Sequence, residues 1–575
     1  MNANQKLEKC RDGAEHGMQK STWDAKRSPV VTTRGLPWLM GTLTILLVGV
    51  SCWLRVSSLG HIPGVNGDEA WYGNLVQDLF SGQPRFVTPS RVPVNPFFAI
   101  PLLLLHCLFD PSVSLLRVPA LLSGFATLIV NYALARKFYS RKAAGWSTTI
   151  LAILPIMIAY SRFGWDTAQM PLATVVIIYA ALATQRNPTE RNLRLAWIAL
   201  FAGLIVHPTC LFLTPLTLFL TMDAMGRDLP GIVRRGIEWS RTPRTMFLLA
   251  GVAALITTIR FDWQFGRLIP TEGFSTLIQF LSLLGDLLSG RTAMTYLSGA
   301  STSDVSWTAW RLLTLSITFV SVAKMLRSDV VEIRLVGCGF TMGLTAFFVA
   351  AGTKGLAPGF ERYGMFLIVP VVFIWTHCLV ELSLKYGRSI AVVLLIAGAV
   401  NLFQFHLGYF AFIRDTGGSA AMTFRTADKE PKARAARFIE TCDPKVAKLV
   451  LTSSFHCYQP LKYLLRNAMQ TRVVLVQSNG DIHDAIKQSP TSQLWIVDFS
   501  ANEQGESMDL LKIAGASTVQ CIDFPDTHRP VVKVLRSCSP RSVFKADSAK
   551  TGGKSLKTGE PAIPSFDIAV AFEQH

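Results

Sequence analysis

The sequence predicts a mainly α-helical polytopic membrane protein, with about eleven transmembrane helices plus juxtamembrane helices, carrying a small C-terminal α/β domain. Three observations predict it. Half of the 575 residues are hydrophobic and only 16% are charged, with a positive mean hydropathy, a balance too apolar for a soluble chain of this length. Apolar runs of about 16 to 22 residues recur from Pro37 to Tyr409, close to the roughly 20 helical residues that cross a hydrocarbon core. From Ile413 onward the composition becomes that of an ordinary globular domain.

The runs place spans at 37–56, 114–135, 143–160, 167–184, 193–207, 208–222, 245–260, 306–323, 335–352, 363–381 and 389–408. Residues 1–36 read as a disordered basic cytoplasmic tail, and 57–113 as the first extracytoplasmic loop with juxtamembrane helices. The first run has no small-residue cleavage site after it and reads as a retained helix. The net charge of +18 forms no long stripe of the kind that binds nucleic acid. It gathers instead in short clusters such as "ARKFYSRK", "RNPTERNLR" and "KMLRSDVVEIR". With a cytoplasmic N-terminus these clusters all fall on the cytoplasmic side, as the positive-inside rule requires. That holds only if "PFFAIPLLLLHCLF", residues 96–109, is an interfacial or re-entrant helix, which its length of about 14 residues suits.

The assignment describes a multi-pass plasma (inner) membrane protein. It puts the loop 261–305, the loop 353–362 and the C-terminal domain on the extracytoplasmic side. Residues 411–538 alternate strand-like and helix-like segments, from "KLVLTS" to "VVKVLRS", and read as an α/β unit ending in a hairpin. Residues 539–575 read as a largely disordered tail. Cys52, Cys107, Cys210, Cys338 and Cys378 lie in apolar runs as small hydrophobes. Cys442, Cys457, Cys521 and Cys538 are compatible with disulfides in an oxidising compartment, and no cysteine spacing resembles a zinc site.

The topology gathers most loop carboxylates on one face. In "GDEAWYGNLVQDLFSG", Trp71, Leu75 and Leu79 share a helical face with Tyr72, Val76 and Phe80 beside them, while Asn74, Gln77, Asp78 and Ser81 face away. Such a helix would lie along the membrane with its aromatic residues at headgroup level, and Gly82 is a natural stop. Asp68 reads either as its N-cap or as a reactive carboxylate, with Glu69 favourably placed in the first turn. Asp166, in "YSRFGWDTAQMP", is likewise a helix start or a second reactive acid. Arg162 is either a snorkelling residue or a phosphate ligand. Arg117 is nearly embedded in apolar sequence and must snorkel, pair or serve a polar cavity. His207 occupies a tight turn between two spans, as a structural histidine or a site residue. Lys354, Glu361, Arg362 and Tyr363 crowd one short loop, which reads as interfacial anchoring or as a cationic site for a lipid phosphate.

In order along the chain, these residues resemble the GT-C superfamily of polyprenyl-phosphate-sugar-dependent glycosyltransferases, especially the protein O-mannosyltransferase, aminoarabinose transferase and RgtA/B/C/D-like group. The resemblance covers roughly residues 37–410. It rests on the pair Asp68-Glu69 followed by "AWYGNLVQDLFSGQP", on "VNPFFAIPLLLLHCLFDPSVSLLRVPALLSG", on "LARKFYSRKAA" leading to "AYSRFGWDTAQMP", and on "ERYGMFLIVP". The chain departs from the group with "NPF" where "HPP" is frequent.

The resemblance implies a catalytic transmembrane domain over 37–410 and transfer of a hexose or pentose from a polyprenyl-phosphate donor to an acceptor hydroxyl of a glycan, lipid or protein. Asp68 would be the general base, with Glu69 and Asp166 orienting the acceptor or the base. Arg362 would stabilise the departing phosphate, with Arg117 or Arg162 behind it, and Tyr363, Lys354 and His207 complete the binding set. No obligatory metal is expected, although a divalent cation between Asp68 and Asp166 suits hard-cation chemistry. The competing reading is a transporter or flippase of a lipid-linked or amphipathic substrate. It is disfavoured because no internal repeat is visible and the carboxylates sit at span ends. A third, a membrane-anchored sensor, has no need of eleven spans.

Overall fold

The computed structural model describes residues 36–89, 93–225, 274–300, 305–357, 359–386, 389–416, 431–468, 470–499, 516–523 and 530–537. The expected span at 245–260, Cys538 and the tails before 36 and after 538 lie outside them. The chain divides into two compact units, Met1–Glu430 and Pro431–His575.

The first unit is helical: α1 (Leu36–Val56), α2 (Gly67–Phe80), α3 (Pro96–Leu108), α4 (Val113–Phe138), α5 (Arg141–Ile153), α6 (Pro155–Tyr160), α7 (Met170–Arg186), α8 (Glu190–Val206), α9 (Thr214–Ala224), α10 (Phe274–Ser289), α11 (Val305–Leu326), α12 (Val331–Ala351), α13 (Ile368–Tyr386), α14 (Ser389–Phe405) and α15 (Phe412–Thr416). Among the described residues six segments are long and apolar enough to cross a membrane: Val113–Phe138, Asp166–Arg186, Trp307–Leu326, Val331–Ala351, Glu361–Ser383 and Val392–Thr416. Four shorter apolar helices accompany them. One continuous core, from Leu47 on α1 to Ile413 on α15, joins these helices.

Three departures from the sequence reading have plain causes. The span expected at 143–160 is broken, because Pro155 has no N–H to continue α5 and holds Leu154 extended before α6 begins. The segment read as a loop over 261–305 contains α10, whose Phe280, Leu284, Leu287 and Leu288 form a buried stripe. In α2 two of the three aromatic residues face inward: Trp71 and Tyr72 are buried, and Tyr72 packs edge-on to Phe98 of α3 at 4.8 Å between ring centroids. Asn74 and Asp78 are buried too, Asp78 with Arg85 at 3.1 Å, whereas Leu79 and Phe80 are exposed. Helix α2 does end where expected, with Gly82 at φ +73.

Helix α3 has 13 residues, too few to span, and Asn95 caps it with Pro96 at its first position. It is apolar on both sides. Phe98, Leu102 and His106 are buried, while Phe97, Ile100, Leu104 and Leu108 are exposed.

Close helix packing depends on small residues, as is general where lipid removes the hydrophobic drive between helices. Gly339 and Gly343, four apart on α12, face the segment that runs from the 3₁₀ turn Pro208–Leu213 into α9. A Cβ at Gly339 would stand 2.5 Å from Leu216 Cα, and one at Gly343 would stand 2.3 Å from the Phe212 carbonyl oxygen.

The second unit contains α16 (Pro431–Thr441), β1 (Lys448–Thr452), α17 (Phe455–Leu464), β2 (Thr471–Leu475), α18 (Asn479–Gln488), β3 (Gln493–Phe499), β4 (Ala516–Asp523) and β5 (Pro530–Ser537). The sheet order is β2-β1-β3-β5-β4. β1 is parallel to β2 and β3, and the β4–β5 hairpin adds antiparallel to β3. β1 is buried along its whole length, as expected of a strand covered on both faces. Cys442 and Cys457 are free thiols.

Gly343→Val is expected to destabilise the first unit by about 1–3 kcal/mol through overpacking, read as a lower midpoint of thermal unfolding in detergent. Val349→Ala, at an exposed position of the same helix, should leave the midpoint nearly unchanged.

Candidate active site

Helix α2 begins with Asn66, which is extended at φ −92, ψ 156. Its Oδ1 accepts the Asp68 N–H at 2.7 Å, and its own N–H donates to Glu69 Oε2 at 3.0 Å. Asn66 and Glu69 thus form the capping box. Asp68 is therefore not the cap. Its carboxylate is partly buried, and no hydrogen bond or ion pair engages it among the described residues.

Glu69 is fully buried against Arg117 of α4. Arg117 Nε donates to Oε1 and Nη2 to Oε2, each at 2.9 Å, the bidentate geometry that suits a guanidinium. Oε1 also accepts the Gly164 N–H at 2.6 Å. The remaining Arg117 donors reach the carbonyls of Leu59, Pro63 and Gly64 at 2.8, 2.9 and 3.1 Å. All five N–H groups of the side chain are engaged. Arg162, just after α6, holds the end of α1 with its two terminal nitrogens. Its Nη1 donates to the carbonyls of Leu54 and Arg55, and its Nη2 to those of Ser58 and Ile62, a cation at a helix C-terminus. The guanidinium also lies 4.9 Å from the centroid of Phe410.

These bonds correct three expectations. Arg117 and Arg162 offer no N–H of their two terminal nitrogens to a phosphate, and Glu69 has no free oxygen with which to orient an acceptor. All three residues hold the backbone around the site.

Asp166 opens the 3₁₀ turn Asp166–Gln169, and its Oδ1 accepts the next residue's N–H at 2.8 Å. Three residues on, Gln169 accepts from Asn95 Nδ2 at 3.0 Å and donates to the Phe97 carbonyl at 2.9 Å, which ties this turn to the start of α3. Tyr72, one helical turn beyond Asp68 on α2, brings its hydroxyl close to Asp166 without closing a hydrogen bond of ordinary geometry. Burial, then the carboxylates of Asp166 and Asp68, push the Tyr72 phenol well above its ordinary value, so it stays protonated as a donor.

Arg362 approaches from the turn before α13. Its guanidinium carbon lies 5.2 Å from the Trp165 ring, 5.3 Å from Tyr363 and 5.9 Å from Phe360. It is in electrostatic range of Asp68, Asp166 and Tyr296, yet no carboxylate pairs with it among the described residues. The His207 ring stands 5.5 Å from that of Tyr363. His207 Nδ1 accepts the Thr209 N–H at 3.2 Å and lies 2.8 Å from the Thr209 hydroxyl, which leaves Nε2 as the protonated nitrogen. Lys354 is exposed on its own turn and makes no polar contact among the described residues.

The structure therefore brings Asp68, Asp166, Arg362, Tyr363 and His207 into one cluster, sets Glu69, Arg117 and Arg162 behind it, and leaves Lys354 exposed on its own turn. Tyr72, Trp165, Tyr296, Asn95 and Gln169 border the cluster and were not assigned to it from sequence. The spacing between Asp68 and Tyr72, i and i+4 on a helix, was a signal for Tyr72, and Asn95, Trp165 and Gln169 stand inside the quoted motifs. No group of three or more potential metal ligands occurs among the described residues.

Removing one partner of the buried Arg117–Glu69 pair leaves an unpaired charge, which costs about 3–5 kcal/mol. Glu69→Ala and Arg117→Met are each expected to lower the thermal midpoint and the yield of folded protein, whereas Asp68→Asn should change neither.

Residues 91–230 match the family model described as dolichyl-phosphate-mannose-protein mannosyltransferase. No curated protein sequence matches the chain. Among solved structures, ArnT from Cupriavidus metallidurans bound to undecaprenyl phosphate superposes with a TM-score of 0.51 at 12% identity, over 87% of this chain and 98% of that one. The apo form of the same protein gives 0.46 at 14% identity, over 86% and 98%. The Archaeoglobus fulgidus oligosaccharyltransferase, in complex with zinc and sulfate, gives 0.46 at 11%, over 80% and 68%. Residues 91–230 are thus similar to that mannosyltransferase family, and the chain shares its fold with ArnT.

Proposed function

We propose that the protein transfers a hexose or pentose from a polyprenyl-phosphate donor to an acceptor hydroxyl by a single displacement that inverts the anomeric carbon. The observation that carries this reading is the contrast at the site. Asp68 makes no hydrogen bond or ion pair and Arg362 no ion pair among the described residues, while Glu69 and Arg117 behind them are fully engaged.

The chemistry follows from that contrast. A sugar phosphate already carries a leaving group, so two tasks remain. The acceptor oxygen must lose its proton as it attacks, and the phosphate must be stabilised as the bond to the anomeric carbon breaks. Asp68 takes the proton. Arg362 meets the phosphate with a charge held in place by three aromatic rings, so little reorganisation accompanies the reaction. Asp166, with the Tyr72 phenol beside it, orients the acceptor or the base, and Tyr363 and His207 flank the phosphate side. Lys354, exposed on its turn, belongs to the outer binding surface.

The acceptor is a glycan, lipid or protein hydroxyl. The basic loops favour an extracytoplasmic site in the plasma (inner) membrane, with the N-terminus cytoplasmic and the C-terminal unit extracytoplasmic. A monophosphate leaving group gives less need for a metal than a pyrophosphate would. The reading therefore includes no obligatory cation, although Asp68 and Asp166 are the carboxylates that Mg²⁺ or Mn²⁺ would share.

Purified protein incubated with radiolabelled polyprenyl-phosphate hexose and envelope extract should transfer label, and Asp68→Asn should lower the rate by about 10²–10⁴-fold. Equal transfer by both proteins would remove Asp68 as the base. EDTA should leave the rate unchanged, and abolition by EDTA with restoration by Mn²⁺ would overturn the metal-free scheme.

A further inference from the structure

We infer that Glu361 and Tyr160 form a latch that positions Arg362 for the donor phosphate, and this rests on the phosphate role proposed for Arg362. Glu361 is a fully buried carboxylate in the first unit, and the reaction scheme gives it no task. Its two oxygens are separately engaged. Oε1 accepts from the Tyr160 hydroxyl, at the end of α6, at 2.8 Å, and Oε2 accepts the Gly359 N–H at 2.6 Å. The side chain thus closes the turn that precedes it and anchors that turn to a different helix.

Gly359 is part of the device. It stands at φ +91, in the left-handed region where glycine has no steric cost. A Cβ there would lie 3.0 Å from the Tyr296 ring, so the turn is also pressed against Tyr296. Arg362 follows Glu361 directly, at the start of the 3₁₀ segment Glu361–Leu367. Its flanking rings come from the same two places that the latch joins: Phe360 and Tyr363 from the turn, and Trp165 from the segment after Tyr160. Breaking the latch would let the guanidinium move relative to Trp165 without removing any atom of Arg362. Glu361 and Tyr160 are positioning residues in this scheme, and neither touches substrate.

The chemistry separates two kinds of substitution. Glu361→Gln can keep both bonds, because its carbonyl oxygen accepts from Gly359 while its amide donates to the Tyr160 oxygen. Glu361→Ala keeps neither. Tyr160→Phe removes one bond at constant shape, and it serves if Glu361→Ala does not fold.

The test is a double-mutant cycle on undecaprenyl phosphate affinity, measured with the purified full-length protein in detergent. Tyr160→Phe and Glu361→Ala should each weaken binding about three- to tenfold, Glu361→Gln should restore affinity to near wild type, and Arg362→Ala should weaken binding at least as much. In the Arg362→Ala background the latch substitutions should add no further loss, because coupled residues are non-additive. A merely structural role would show additive losses in that background, and this outcome overturns the latch. Loss in Arg362→Ala with wild-type affinity in both latch variants removes the latch alone. Wild-type affinity in Arg362→Ala removes the phosphate role and the latch together.

Discussion

The ion pair between Arg117 and Glu69 fixes the rest of the site. Between them, the two side chains bind three loop carbonyls, the N–H that starts α2 and the N–H of Gly164. Three separate stretches of chain therefore meet at one buried pair: residues 59–64, the first turn of α2, and the segment after α6. Asp68 is the neighbour of Glu69, and Asp166 lies two residues beyond Gly164. The separation of Asp68 and Asp166 is set by a bond neither of them makes. A buried pair of this kind is weak support for stability as such, and here its use is geometric.

The charged groups near the site differ in saturation. Glu69, Arg117 and Glu361 have partners for each oxygen or N–H, and Arg162 has partners on both terminal nitrogens. Asp68 and Arg362 have none of comparable quality, and they stand in electrostatic range of one another. In a low-dielectric setting an unpaired charge is costly, so two of opposite sign within electrostatic range of one another would each gain from an incoming polar ligand. Aromatic rings around Arg362 lower that cost without neutralising the charge.

Much of the helical layout was legible because span length and loop charge are strong signals. Helices α1, α4, α7, α8, α11, α12 and α14 lie where apolar runs predicted them. The C-terminal sheet was legible from alternating strand-like and helix-like segments. What failed was local competition. Both Asn66 and Asp68 can cap a helix, and only the structure shows Asn66 doing so. Arg117 and Arg162 looked like phosphate ligands because sequence places cations near a membrane face but cannot show backbone carbonyls already waiting for them. Helix α10 was missed because Ser275, Thr276, Gln279, Ser282 and Asp286 interrupt its apolar run. Glu361 stood in view beside Arg362, but its partners, Tyr160 and Gly359, become visible only when α6 packs against the turn before α13.

The bonds that Arg117 and Arg162 make to the segment between α1 and α2 end on main-chain oxygens: those of Leu54, Arg55, Ser58, Leu59, Ile62, Pro63 and Gly64. Main-chain acceptors are independent of the side chains that accompany them. The path of this segment can thus stay fixed while its residues change, provided the count of residues does not. Length, rather than identity, is the quantity under constraint there: a single inserted or deleted residue would put the carbonyls on one side of it out of register with their guanidinium, where several substitutions would not.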